Sequence, residues 1–195
     1  MSEQAEELAE VHDRKMLGFW IYLMTDCVLF AGLFATYAVL RGNTFGGPGG
    51  ADIFSMPYIL VETMLLLTSS FTVGLAILAA ARGLKKQAMV WLAATFILGA
   101  AFLGMELYEF AELAAEGHSW QASAFLSAYF TLVGTHGLHI AVGLLWLAVL
   151  MVRLYRLKFK KTDLNRLALF SLFWHFLDIV WIFIFSIVYL IGGMA

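Results

Sequence analysis

The chain has 195 residues, of which 62% are hydrophobic and 13% charged, with a net charge of −2 and a mean hydropathy of +0.85. A water-soluble domain has no interior large enough to hide that much apolar side chain, so the sequence reads as an all-α integral membrane protein. The composition excludes a nucleic-acid binder, no phosphate-binding loop is present, and one cysteine, Cys27, allows neither an internal disulfide nor a cysteine-rich metal centre.

The chain begins with an acidic stretch, "MSEQAEELAEVHD", within residues 1–15, read as a solvated tail ahead of a membrane domain over 16–195. Five apolar runs follow, at about 16–40, 57–81, 88–110, 123–152 and 167–191. Each exceeds the roughly 20 residues that a helix needs to cross the hydrocarbon core. The first is too long for a signal peptide and has no evident cleavage site, so it reads as a retained anchor. It carries Cys27, expected as a small buried hydrophobe, and the small residues Ala31, Gly32, Ala35 and Thr36, expected to permit close helix packing inside this chain or with a partner subunit. The loop "RGNTFGGPGGADIFSM" is a turn or flexible connection, after which Ser55 suits a helix cap and Pro57 a first turn. Gly99 and Gly104 thin the third run, and Gly134, Gly137 and Gly143 the fourth. Neither proline, Pro48 or Pro57, interrupts a span, and no internal repeat is visible, which counts against a secondary transporter with broken helices.

Charge sets the expected orientation. Eleven of the twelve basic residues fall on one side: Arg14 and Lys15, then Arg82, Lys85 and Lys86, then Arg153, Arg156, Lys158, Lys160, Lys161 and Arg166. Arg41 alone lies opposite, with Asp52, Glu112 and Glu116. The positive-inside rule then predicts a cytoplasmic N-terminus and, after five crossings, a periplasmic C-terminus. Tyr58, Tyr108, Trp120 and Tyr189 are expected as interfacial anchors at the outer ends, and Trp91 and Tyr155 at the inner ones.

The chemistry rests on ionisable residues inside the spans, since a charge at the bilayer centre costs about 2.5–3.5 kcal/mol on insertion scales. Asp26 lies about ten residues, or roughly 15 Å, into the first span. His136 and His139 in "GTHGLHIAVG" are three apart and share a helix face, as do His175 and Asp178 in "FWHFLDIVW". Glu62 lies close to the outer end of the second span, and Glu106 and Glu109 close to that of the third. Three readings stay open on the residues alone. His136 or His139 with His175 would ligate a haem, as in the membrane anchor of a dehydrogenase. His136, His139, His175 and Asp178 would make a His-carboxylate metal site. Asp26 would load and release protons, or be a structural acid bonded to His139 or to a backbone group, while the remaining groups, including Glu62, act as buried polar contacts between helices.

The segments "GFWIYLMTDCVLFAGLFATYAVL", "VETMLLLTSS", "GMELYEF", "FLSAYFTLVGTHGLHIAVG" and "LFWHFLDIVWIFIFSIVYLIG" decide between them. Together they resemble subunit III of the haem-copper respiratory oxidases from about Gly18 to Gly193, in the five-helix form found in bacterial cytochrome bo-type ubiquinol oxidases. Longer members carry two further N-terminal helices, and many carry Glu where this chain has Asp26. The resemblance implies an accessory, non-catalytic subunit of a proton-pumping quinol oxidase in the bacterial inner membrane. Its partners would be the large catalytic subunit I and subunits II and IV, which hold the haem, copper and ubiquinol. It implies no metal or cofactor in this chain, helices in a two-plus-three arrangement, and phospholipid in the cleft between the groups. It also links the position of Asp26 with sustained proton uptake and protection of the catalytic subunit. Accessory subunits of cytochrome c oxidases and nitric oxide reductases are near relatives.

Overall fold

The computed structural model describes residues 3–47, 49–156 and 161–193, so Pro48, Lys158 and Lys160 lie outside the described residues. The elements are all helical: α1 (Glu3–Leu40), a single turn α2 (Gly50–Ile53), α3 (Met56–Ala81), α4 (Lys85–Ala115), α5 (Ala124–Arg156) and α6 (Lys161–Ile184), which continues as a π-helical segment over Phe185–Ile191. Five of these are long and apolar enough to cross a membrane. The acidic stretch is helical in its backbone, since α1 already runs from Glu3. Helices also overrun the apolar segments, as α4 does at "KKQ" and "AELAA", since Lys, Gln, Glu, Leu and Ala are strong helix formers.

Connection length decides who packs on whom. A three-residue turn, Arg82–Leu84, joins α3 to α4, and Gly83 takes φ +73° there. Its N–H and that of Leu84 bond back to Ala80 and Ala79, which closes α3 and reverses the chain sharply. The two helices are thus tight antiparallel neighbours. With α5 and α6 they close a four-helix ring in which α4 packs on α5, α5 on α6 and α6 on α3. The helix α1 lies outside this ring against α5 and α6. The two-plus-three division is therefore corrected to one plus four. The long connection over residues 41–55 frees α1 from α3, so the first two spans are separate flanks of α6 rather than a pair.

The narrow contact of α1 corrects the expected burial of Cys27. Among the described side chains of α1, one stripe, Leu23, Asp26, Phe30 and Tyr37, is buried. Cys27 lies beside that stripe and is exposed, an inexpensive position for a thiol in an apolar surround. Ala31, Gly32, Ala35 and Thr36 are exposed as well, and a Cβ on Gly32 would meet nothing within 4 Å.

At the centre stand two indoles of α6. Trp174 and Trp181 are fully buried, and their ring N–H groups donate to Ser69 Oγ (2.9 Å) and Thr63 Oγ1 (3.1 Å) of α3. The Trp174 ring is wedged between glycines: a Cβ on Gly99 of α4 or Gly143 of α5 would sit 2.9 Å from it. A further bond, Thr72 Oγ1 to Thr95 Oγ1 at 2.8 Å, ties α3 to α4. Near the end of α5, Arg153 Nε donates to the buried Asp163 at 3.0 Å, locking α5 to the start of α6.

The loop between α1 and α3 is ordered by packing. Its Phe54 stacks on Phe125, Tyr129 and Tyr189, and Phe125 N–H donates to Asn43 C=O. Ser55 occupies the cap position of α3, but its hydroxyl makes no capping bond. In the π segment, Val188 C=O accepts from Tyr37 OH of α1 at 3.3 Å.

Gly143→Ala should destabilise the bundle by about 1–3 kcal/mol, the usual cost of overpacking. Gly104→Ala, where an added Cβ meets nothing within 4 Å, should stay within about 0.5 kcal/mol. Thermal unfolding midpoints of the two variants in one detergent check the pair.

Candidate functional site

The sequence-nominated residues fall at two levels. At mid-bundle, α1 turns Asp26 inward toward α5, and His139 Nε2 lies 3.7 Å from Asp26 Oδ2. The other nitrogen of that ring is 2.7 Å from Thr135 C=O one turn back, so His139 is oriented by its own helix. Phe30 packs beside the imidazole at 5.3 Å. This is the one acid–imidazole approach between α1 and the ring among the described residues. At 3.7 Å it is an ion-pair distance rather than a hydrogen bond.

His136, one turn earlier, faces the ring's interior. It is fully buried, its Nε2 is 3.2 Å from Leu177 C=O of α6, and its ring lies between Trp181 and Phe102. The two histidines of the motif share a helix side yet meet different neighbours. Asp178 is buried beside Ser70 of α3, whereas His175 is exposed, a correction to its expected burial. His175 falls on the outward side of α6, where the helix has no neighbour between α1 and α3. His136 and His175 therefore do not face each other across a common space, and among the described residues no group of three or more His, Cys, Asp or Glu side chains is placed to hold a metal ion.

The second level is the end of the bundle where α1 finishes and α3 starts. There the structure assembles a larger polar cluster than the sequence reading nominated. Glu62 of α3 and Glu106 of α4 are buried, with no hydrogen-bond partner for any of their four carboxyl oxygens. Glu109 stands one turn along α4, and its Oε1 accepts from Tyr129 OH at 3.1 Å. Tyr129 and Tyr189 share a hydroxyl contact of 3.1 Å. Tyr189 is fully buried, a correction to its expected role as an interfacial anchor: the π segment turns it inward. Gly137 explains itself here. A Cβ at that position would lie 2.7 and 2.8 Å from the Glu106 carboxyl oxygens, so the glycine inside the histidine motif is the seat for a carboxyl from α4. The sequence signal for the cluster was the i, i+3 pair Glu106 and Glu109 inside an apolar run.

The comparisons with known proteins bear on this geometry. The family model described as "Cytochrome c oxidase subunit III" matches residues 4–193. The chain belongs to that family. Its relatives include the cytochrome bo(3) ubiquinol oxidase subunit 3 of Pseudomonas aeruginosa, 55% identical over 97% of this chain and 94% of the relative. The cytochrome c oxidase subunit 3 of Bacillus sp. (strain PS3) is 49% identical over 91% and 86%, and the quinol oxidase subunit 3 of Bacillus subtilis (strain 168) 41% over 96% and 92%. As a member of the subunit III family with five spans, the chain is a multi-pass membrane protein of a respiratory oxidase. His136 meets a backbone carbonyl and aromatic rings, and His139 meets an aspartate and a backbone carbonyl.

Gly137→Ala should cost about 1–3 kcal/mol through its clash with Glu106. Removing the obstructing carboxyl in Gly137→Ala/Glu106→Ala should restore part of that loss, so the two effects should not add. A double-mutant cycle of unfolding free energies in detergent checks the coupling.

Proposed function

We propose that this chain is the accessory subunit III of a proton-translocating ubiquinol oxidase in a bacterial inner membrane. It supports the large catalytic subunit and contributes no redox centre. The observation that carries this reading is the 55% identity over 97% of the chain to a subunit named for cytochrome bo(3) ubiquinol oxidase, with a second such relative, from Pseudomonas putida, 54% identical over 91%. The cytochrome c oxidase relative at 49% keeps the other electron donor as the second reading. Haem, copper and ubiquinol belong on this reading to partner subunits I, II and IV, and the N-terminus is cytoplasmic because the basic residues gather at its end of the bundle.

Within that role Asp26 is the residue we assign to proton uptake or to the lifetime of the partner. It is the buried acid of the peripheral helix among the described residues, it lies between Tyr22 of its own helix and His139 of α5, and much of the rest of α1 is exposed and free for a larger companion. Phospholipid fits the outer side of α6 between α1 and α3, where Ile179, Ile182 and Phe183 are exposed, with basic side chains at the cytoplasmic end to attract anionic headgroups.

Purification in mild detergent with subunit identification should recover a haem-copper catalytic subunit and an activity that oxidises quinol in preference to cytochrome c. Recovery of a cytochrome c oxidase activity instead would transfer the assignment to the second reading. Asp26→Ala should leave haem content unchanged and shorten the period over which the complex stays active during turnover. An unaltered lifetime would remove Asp26 from the proposed role.

A further inference from the structure

The carboxyl cluster at the far end of the bundle is separate from Asp26, and its surroundings are specific. Glu109 faces two ways. On its outer side it lines a cavity of about 460 Å³ with Tyr58, Tyr108, Glu112, Glu116 and His118. On its inner side it meets Tyr129 and lies within electrostatic reach of Glu62 and Glu106. Those two side chains are 0% and 1% exposed and carry four carboxyl oxygens without a protein partner, while the inner Oε2 of Glu109 lacks one too. The titratable groups facing them are Tyr58 from α3, Glu109 and Glu112 from α4, Tyr129 from α5, and Tyr189 from the π segment. The charges that act most on these carboxyls are other carboxyls.

A carboxyl at membrane depth with no countercharge is stable only if it takes up a proton or a cation. A hard cation needs several oxygens converging on one point, and no group of three or more acidic or imidazole side chains is so placed among the described residues. A proton needs only one oxygen and then makes the carboxyl a hydrogen-bond donor to its neighbour. We propose that Glu62, Glu106 and Glu109 form a proton-holding cluster that exchanges with water through the cavity, with Glu109 as the passage. In each uptake event a hydronium ion in the cavity gives its proton to a Glu109 carboxylate oxygen and leaves as water. The proton then passes to Glu106 or Glu62. The carboxylates of Glu112 and Glu116, which also line the cavity, raise the local proton concentration. The cluster does not depend on the role assigned to Asp26, nor on the electron donor of the complex.

Attenuated-total-reflection infrared spectroscopy on the membrane-embedded assembly tests the idea. At neutral pH, the wild-type minus Glu106→Gln spectrum should show the C=O stretch of a protonated carboxylic acid, and this band should shift in D₂O. Glu109→Gln should keep that band but slow its shift. Should Glu106→Gln not assemble, Glu62→Gln reads the same feature. Superimposable wild-type and variant spectra, a D₂O shift as fast in Glu109→Gln as in wild type, or a band that disappears at fixed pH when NaCl replaces an impermeant salt would each overturn the proposal. The last would point to a metal cation instead.

Discussion

The structure depends on burying two tryptophans of one helix inside a membrane bundle. In hydrocarbon an indole N–H cannot turn to water, so each must find an acceptor on another helix. Ser69 and Thr63 supply them from α3. The rings also need space, and Gly99 and Gly143 provide it from α4 and α5 around Trp174. These requirements lock α6 to three neighbours at once and define the four-helix ring. Apolar attraction alone would not select this arrangement, since lipid tails are as apolar as leucine side chains.

The same constraint separates two kinds of polar residue. Some are saturated: Thr72 with Thr95, Tyr58 OH with Met105 C=O, Tyr37 OH with Val188 C=O, and Asp163 with Arg153. These hold helices in register. Others keep unused hydrogen-bonding capacity although buried: Asp26, Glu62, Glu106, Glu109, His136 and Asp178. A packed core rarely tolerates such groups without a use for them. They lie at mid-bundle and at the end opposite the basic loops, and the proposed proton roles are placed on four of them, Asp26, Glu62, Glu106 and Glu109.

The peripheral position of α1 links fold to assembly. A helix held along one stripe exposes a broad apolar surface, including Leu17, Ile21, Met24 and Val28. The carboxyl of Asp26 sits at the seam between that helix and the ring, 3.7 Å from His139, so a change in the packing of α1 would reach this pair directly. The long α1–α3 connection makes the arrangement sterically accessible, and Phe54 anchors its far end among Phe125, Tyr129 and Tyr189.

By itself the sequence determined the five spans, the sidedness of the basic loops and the family, because span length and loop charge are properties of contiguous residues, and the motifs "THGLH" and "WHFLD" are read in one dimension. It also nominated Asp26 and the imidazoles, since ionisable groups in apolar runs are conspicuous. Only the tertiary structure decided that His136 points into the ring while His139 meets α1, that His175 faces outward, and that Cys27 is exposed. Helical periodicity says which residues share a side but not which neighbour that side will meet. Bringing Glu62 within electrostatic reach of Glu106 and Glu109, with Gly137 as the seat of Glu106, depends on the packing of three helices separated by tens of residues. No local pattern encodes that contact; it follows from how turn length and the tryptophan wedge close the ring.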